Sequence, residues 1–148
     1  MKIVVQRVKK ASCIVDDQLI SEIAKGYMIL VGIEQNDDEQ TLMKLASKLS
    51  KLRIFDDEKG KMNLNIFDAG GEILSISQFT LAANIKKGNR PSFDTARKPD
   101  EAKLLYHRFN EILKTLGIVV KEGIFASEML ITLENDGPIT FVLDSEEL

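Results

Sequence analysis

Apolar positions alternate with other residues through KIVVQRV (2–8) and SCIV (12–15), the period-two pattern of half-buried strands. Asp16, Asp17 and Gln18 predict a turn, LISEI (19–23) a short second strand, and the almost wholly apolar GYMILVGI (26–33) a third strand buried on both faces. The pattern predicts an opening β-meander. It then changes period. Leu42, Leu45, Ala46, Leu49 and Leu52 fall on one helical stripe, and Asp37 with Gln40 three residues on has the spacing of a capping box. The polar stretch 55–63 predicts a loop, and Gly70-Gly71 is read as joining two short strands within NIFDAGGEILSISQFTL (65–81). Pro99 then opens a second helix with Asp100 and Glu101 behind it. Ala102, Leu105, Tyr106, Phe109, Ile112, Leu113 and Leu116 form its apolar face, and Gly117 ends it.

The last apolar runs, IVVKEGIF (118–125) and the two halves of EMLITLENDGPITFVL (128–143), predict further strands, with Gly137-Pro138 between the final two. Proline has no N–H for a ladder and glycine no side chain to pack. From local sequence the NDGP tetrapeptide reads as an ordinary hairpin turn, although a Gly-Pro bond can also be cis at modest cost. About seven strands and two main helices define an α+β protein, a mixed sheet rolled toward a barrel with the helices packed on its outside.

Composition narrows the function. The chain has 148 residues, 44% hydrophobic and 29% charged, which suits one globular domain, 1–148, with a substantial core. No apolar run approaches the roughly 20 residues that cross a bilayer, and MKIVVQRV carries charge where a signal peptide would be apolar, so a cytosolic protein is expected. The single Cys13 lies in a strand pattern and reads as a buried structural thiol. One histidine and one cysteine do not make a Cys/His zinc site. Glycine-rich phosphate loops, His-Glu-x-x-His and Gly-x-Ser-x-Gly are all absent from the sequence. No metal or cofactor is expected. His107 lies off the apolar stripe of its helix and reads as solvent-facing.

What remains is SISQFTLAANIKKGNRPSF (75–93). Ser77, Gln78, Phe79 and Thr80 end a strand beside a turn, where side chains and freed amides can converge on a ligand; a plain strand with Phe79 and Leu81 on the core side fits the same string. Lys86, Lys87, Arg90, Arg97 and Lys98 add local positive charge to a chain of formal net charge −3, a pattern compatible with an anionic partner or with simple solvation.

SQFTL (77–81), GNRPSF (88–93) and NDGPIT (135–140), with VVQRV (4–8) and DDQLISEIAKGYMILVGI (16–33), together resemble the D-aminoacyl-tRNA deacylase family over essentially the whole chain. The resemblance implies a homodimer and hydrolysis of the ester joining a D-amino acid to the 3′ end of tRNA. It implies that Gly137 and Pro138 form a cis peptide entering the partner subunit's pocket, where backbone carbonyls exclude L-amino acids. Achiral glycine would pass such a filter, so glycyl-tRNA mischarged on tRNA(Ala) would also be cleaved. The backbone at Gln78 and Phe79 would bind the oxyanion. Thr80, beside Ser77, would position water in preference to attacking covalently. Phe125, Ala126 and Met129 would lie near the pocket, Arg7 would brace the Gly-Pro loop, and Lys86, Lys87 and Arg90 would meet tRNA. The chain departs from the family pattern at GIFASEM (123–129), where Ala126 stands at a position commonly glycine. The rival expectation is a dimeric RNA-binding module without catalysis.

Overall fold

The computed structural model describes residues 1–86 and 88–148. Strand β1 (Lys2–Val15) is the axis of the fold. The two sequence fragments 2–8 and 12–15 merge into this one strand. Its inward residues are Ile3 and Val5 before Arg7, then Val8, Ala11, Cys13 and Val15 after it. The inward parity slips at Arg7-Val8, where both side chains are buried.

On one edge β1 pairs antiparallel with β3 (Gly26–Gly32) along residues 2–8 and with β2 (Gln18–Ile23) along 11–15. The predicted meander is therefore corrected. β2 and β3 lie end to end along a strand long enough to hold both. Asp16 and Asp17, at φ 49° and 61°, make the tight turn into β2. From β3 the chain crosses through helix α1 (Glu39–Lys51) to the parallel strand β6 (Glu72–Ser77), then through α2 (Pro99–Thr115) to the parallel β7 (Val120–Glu122). Between α1 and β6, Phe55–Asp56 (β4) and Met62–Leu64 (β5) form a small hairpin in the stretch read as a loop. Residues 66–70, ending at Gly70, form a turn, not a strand, with the Asn65 side chain accepting from the amides of Phe67 and Asp68.

The sheet rolls until β2 meets β7. The Ser21 hydroxyl donates to the Glu122 carbonyl (2.9 Å) and Lys121 to that of Glu22 (2.8 Å). This gives the expected α+β, nearly closed barrel-like sheet with two helices outside it. One core layer joins Ile3, Val5, Tyr27, Ile29 and Val31 to the helices, and a second fills the roll with Val8, Cys13, Met28, Leu74 and Ile76. Burial raises the Cys13 thiol pKa, in keeping with a packing role.

The helix boundaries follow their chemistry, with one correction. Asp38, not Asp37, caps α1, its carboxylate accepting from the Thr41 amide and hydroxyl at 2.9 Å each. Asp37 is buried and accepts from the Glu34 amide (2.6 Å) and the Met1 amino group (2.6 Å). Pro99 opens α2 and Gly117, at φ +94°, follows it, as predicted.

The last strand, β8 (Leu130–Asp144), overturns the hairpin reading. It runs antiparallel to β1 from Ile14↔Leu130 to Lys2↔Asp144, on the same partner before and after the Gly-Pro pair. Asp136–Ile139 stand opposite the single residue Arg7, between the pairs Val8↔Asn135 and Gln6↔Thr140. The pair therefore rides on a four-residue bulge inside one strand. Asn135 secures its neck, donating to the carbonyls of Arg7 (3.0 Å) and Ile139 (2.9 Å).

Because Leu45 is fully buried in the layer between helices and sheet, Leu45→Ala should lower unfolding free energy by about 2–5 kcal/mol. Urea denaturation measures this, and a change under 1 kcal/mol would contradict the packing described.

Candidate active site

A cavity of about 760 Å³ opens where β6 ends, between the N-terminus of α2 and the segment before β8. Its walls include Ser77, Gln78, Phe79, Phe125, Ala126 and Met129, six of the residues singled out in the sequence, brought together from segments about fifty residues apart. The corner that builds it is local. β6 stops at Ser77, and Phe79–Ala82 turn into a short 3₁₀ helix. The reading of 77–81 as continuous strand is thereby excluded: Phe79 is 58% exposed and leans on Phe93, ring centroids 5.0 Å apart.

The Gln78 amide is already engaged, donating to the Val31 carbonyl at 2.8 Å. Of the two amides expected to bind the oxyanion, that of Gln78 is thus shared with the sheet in this structure. The amides of Phe79 and Thr80 open the 3₁₀ turn, where the first N–H groups of a helix lack intrahelical acceptors. Gln78 acts here through its side chain, whose Nε2 donates to Thr80 Oγ1 at 2.5 Å. Thr80 is exposed, follows the wall residue Phe79 without itself lining the cavity, and its hydroxyl accepts that bond.

On the opposite wall, the Tyr106 hydroxyl donates to the Ser75 carbonyl (2.8 Å) and its ring backs Phe125, centroids 6.0 Å apart. Burial pushes the Tyr106 hydroxyl pKa up to about 12, so it stays a neutral donor. Ala126 has φ 61°, in the left-handed region. That conformation is the physical reason for a glycine preference at this position, and alanine meets it at a cost of about 1 kcal/mol. Met129 lies over Gly123, where a β-carbon would come within 2.6 Å of its sulfur.

Gly137 and Pro138 lie outside this cavity, on the bulge of β8. Their peptide bond is cis, and Gly137 has φ +123°. Arg7 is 5% exposed beneath them. Its Nε donates to the Asp136 carbonyl (3.3 Å) and faces the Asp136 carboxylate (3.2 Å), while one Nη donates to the Ile54 carbonyl (2.7 Å) and lies 3.3 Å from Asp56. One guanidinium thus ties the bulge to the segment after α1. Lys86 and Arg90 are exposed on a loop pinched by mutual Asn84–Ser92 backbone bonds (2.8 and 3.0 Å), and Lys87 lies outside the described residues. His107 is about half exposed and pairs with Glu122 at 3.1 Å, away from the cavity walls.

Sequence reasoning missed Phe93, Arg97 and Lys98 as cavity walls. Arg97 is a clamp as much as a wall, donating to the carbonyls of Gln35 (2.6 Å) and Asp37 (3.0 Å) and pairing with Glu101 (2.7 Å). Their charge was visible in the sequence, but no spacing rule places a loop residue against a strand end.

A deep apolar cavity with polar groups and free amides at a strand end defines a ligand-handling class of site. Comparison with known proteins identifies it further. The family model described as D-Tyr-tRNA(Tyr) deacylase matches residues 4–144. A D-aminoacyl-tRNA deacylase of Bacillus velezensis is 52% identical over 147 residues, covering 99% of this chain and 100% of that one. The enzyme of the same name from Persephonella marina is also 52% identical, covering 98% of each. Among solved structures, a protein named c-Myc DNA unwinding element binding protein superposes with TM-score 0.92 at 39% identity, covering 97% of this chain and 98% of that one. A probable eukaryotic D-amino acid tRNA deacylase shares the fold, with TM-score 0.81 at 17% identity over 96% and 97% of the two chains. The chain belongs to the D-Tyr-tRNA(Tyr) deacylase family.

Arg7→Met keeps the stem but removes the donors shared by Asp136 and Ile54. Stability should fall by about 1.5–3 kcal/mol, with amide hydrogen exchange at residues 135–140 accelerating more than in α2. Equal acceleration in both would show that Arg7 does not hold the bulge.

Proposed function

We propose that this protein is a homodimeric, cytoplasmic editing hydrolase that reads the handedness of an amino acid esterified to tRNA. D-aminoacyl-tRNA deacylation is the activity of its family and of its half-identical relatives. The observation that carries the mechanistic reading is the corner at Ser77–Thr80. It brings the Phe79 and Thr80 amides, and a Thr80 hydroxyl bonded by Gln78, next to a cavity of about 760 Å³.

An aminoacyl ester is activated and has a ribose 2′-OH beside it, so positioning and oxyanion stabilisation suffice without a catalytic triad. Water adds to the ester carbonyl, and the tetrahedral oxyanion is held by the Phe79 and Thr80 amides. Its collapse breaks the bond to the ribose 3′-oxygen, which takes a proton, releasing the D-amino acid and tRNA. Thr80, held by Gln78, orients the water. A covalent route is disfavoured because, among the described residues, the side chain bonded to the Thr80 hydroxyl is an amide, which is not a base.

Chirality is read across the dimer. Leu130 and Val142 on β8 are 64% and 66% exposed, and β8 pairs only with β1 among the described residues, so an apolar face and a free strand edge are available to a second copy. In such a dimer the Gly137-Pro138 bulge enters the partner's cavity. Its carbonyls then face the α-carbon where an L side chain would point. Glycine escapes this filter, so glycyl-tRNA mischarged on tRNA(Ala) is also a substrate. Lys86 and Arg90, exposed on the loop that leads into the cavity-wall residue Phe93, would meet the acceptor end.

Thr80→Ala should reduce turnover of D-tyrosyl-tRNA about 10–100-fold without abolishing it, since the amides survive. Complete loss with folding intact, or a trapped acyl-enzyme, would make Thr80 the nucleophile. Gly137→Ala forces a β-carbon at φ +123° to within 2.8 Å of the Ile139 side chain and should lower the D/L ratio of kcat/KM at least tenfold. An unchanged ratio at matched folded fraction would remove the bulge from chiral selection. The binding-module reading has one observation in its favour, the 0.92 TM-score to a protein named for DNA binding. It would prevail if purified protein retained tRNA but left D-tyrosyl-tRNA intact.

A further inference from the structure

The outer side of α1 carries Lys44, Lys48 and Lys51, spaced i, i+4, i+7 along one face, and Arg53 continues the row just past the helix. At 1.5 Å per residue the lysines are about 6 and 4.5 Å apart along the axis. With Ser47 and Leu148 they line a groove of about 510 Å³. All four cations are exposed, in a chain of formal net charge −3. On and beside α2, Arg97 is matched with Glu101, Arg108 with Glu39 and Lys114 with Glu111 and Glu122, which leaves only Lys98 and Lys103 without an ion pair among the described residues. The α1 row is not so matched. Among the described residues none of its members lies within 4.0 Å of an Asp or Glu side chain; Lys44 is met by the terminal oxygen of Leu148, and Arg53 holds Asn63 through Nε (2.7 Å to its carbonyl) and one Nη.

The ordinary explanation covers half of this. Cations in the last turn of a helix are favoured by its dipole, which accounts for Lys48 and Lys51. Lys44 and Arg53 are outside that turn; Lys44 is met by the terminal oxygen of Leu148, whereas Lys48, Lys51 and Arg53 have no anionic partner among the described residues, and Lys48 faces Lys44 at i,i+4 and Lys51 at i,i+3. The row also has a place in the site's architecture. Arg53 precedes Ile54, whose carbonyl is held by the same Arg7 guanidinium that holds Asp136 of the Gly-Pro bulge. The basic row thus ends one side chain away from the element assigned to chiral reading.

We propose that the Lys44–Lys48–Lys51–Arg53 row docks the phosphate backbone of the tRNA body while the aminoacylated 3′ end lies in the cavity. This rests on the deacylase reading. A row of point charges with no groove-reading shape contacts phosphates without reading bases, so it suits an enzyme that must accept many tRNAs. It divides labour with the cavity: the row supplies salt-dependent affinity and the cavity supplies chemistry.

The test compares D-tyrosyl-tRNA with D-tyrosyl-adenosine, which keeps the ester and loses the tRNA body. For Lys44→Gln/Lys48→Gln/Lys51→Gln, KM for the tRNA substrate should rise about tenfold or more with kcat preserved. The slope of log kcat/KM against log salt should fall by about 2–3. Hydrolysis of D-tyrosyl-adenosine should not change, and the charge-matched Lys59→Gln/Lys61→Gln/Lys103→Gln protein should behave as wild type on both substrates. Wild-type KM and salt slope in the α1 variant would overturn the proposal. So would equal loss on both substrates, or row-dependent binding to vesicles of phosphatidylglycerol without any effect on tRNA turnover. Wild-type protein that cleaves neither substrate, yet loses uncharged tRNA on removal of the three lysines, would refute the deacylase reading and leave the row standing.

Discussion

The pairing of β1 with β8 over almost their whole lengths is the constraint on which the molecule turns. Two antiparallel strands that match at both ends but differ in length between must expel the surplus, and the surplus here is Asp136–Ile139 against Arg7. The ladder on either side fixes where the expelled residues leave the sheet. A hairpin would have placed Gly-Pro at a free tip; an interrupted ladder anchors it from both sides.

Arg7 follows from the same mismatch. Opposite the bulge it has no partner on β8, although it pairs with Tyr27 on β3, and it continues the inward parity of Ile3 and Val5. A buried guanidinium must be met by acceptors, and Asp136, Ile54 and Asp56 supply them. The charge that balances Arg7 therefore comes partly from the bulge it supports. The segment after α1 is coupled to the bulge by this guanidinium and by the apolar cluster that Ile54, Phe55 and Ile139 share.

The cavity depends on a different accident of strand length. β6 ends at Ser77, beside Val31 of β3, so the chain must turn at Gln78 while its amide still pairs with the sheet. The next amides then have no ladder to join. Free donors at the edge of an apolar cavity are what an ester hydrolase without a triad requires, and a strand end followed by a 3₁₀ turn provides them without any unusual residue. Phe125, backed by Tyr106, closes the far side, so the site is assembled from a strand end, a helix start and a turn.

How much of this was legible in the chain depends on the range of the interaction concerned. Alternation along 2–15, the stripe of Leu42, Leu45 and Leu49, and the Pro99 to Gly117 signals of α2 are local, and local periodicity reports which face of an element is apolar. The residues of SQFTL and NDGPIT, with Phe125 and Met129, were also marked, as residues of a family pattern whose roles the sequence alone could not derive. Other features were decided by partners distant in sequence. The cap moved from Asp37 to Asp38 because Asp37 is drawn into the core by Met1 and Glu34. β2 and β3 share one edge of β1 because of that strand's length. The Gln78 amide was lost to Val31, and Ala126 acquired a left-handed conformation in the turn that returns the chain to β8. The sequence by itself determined the elements, their buried faces and the residues worth suspecting. The tertiary structure decided that Gly137-Pro138 is a bulge and which amides remain free, because both depend on where a second strand ends, and the end of a strand is set by its neighbour.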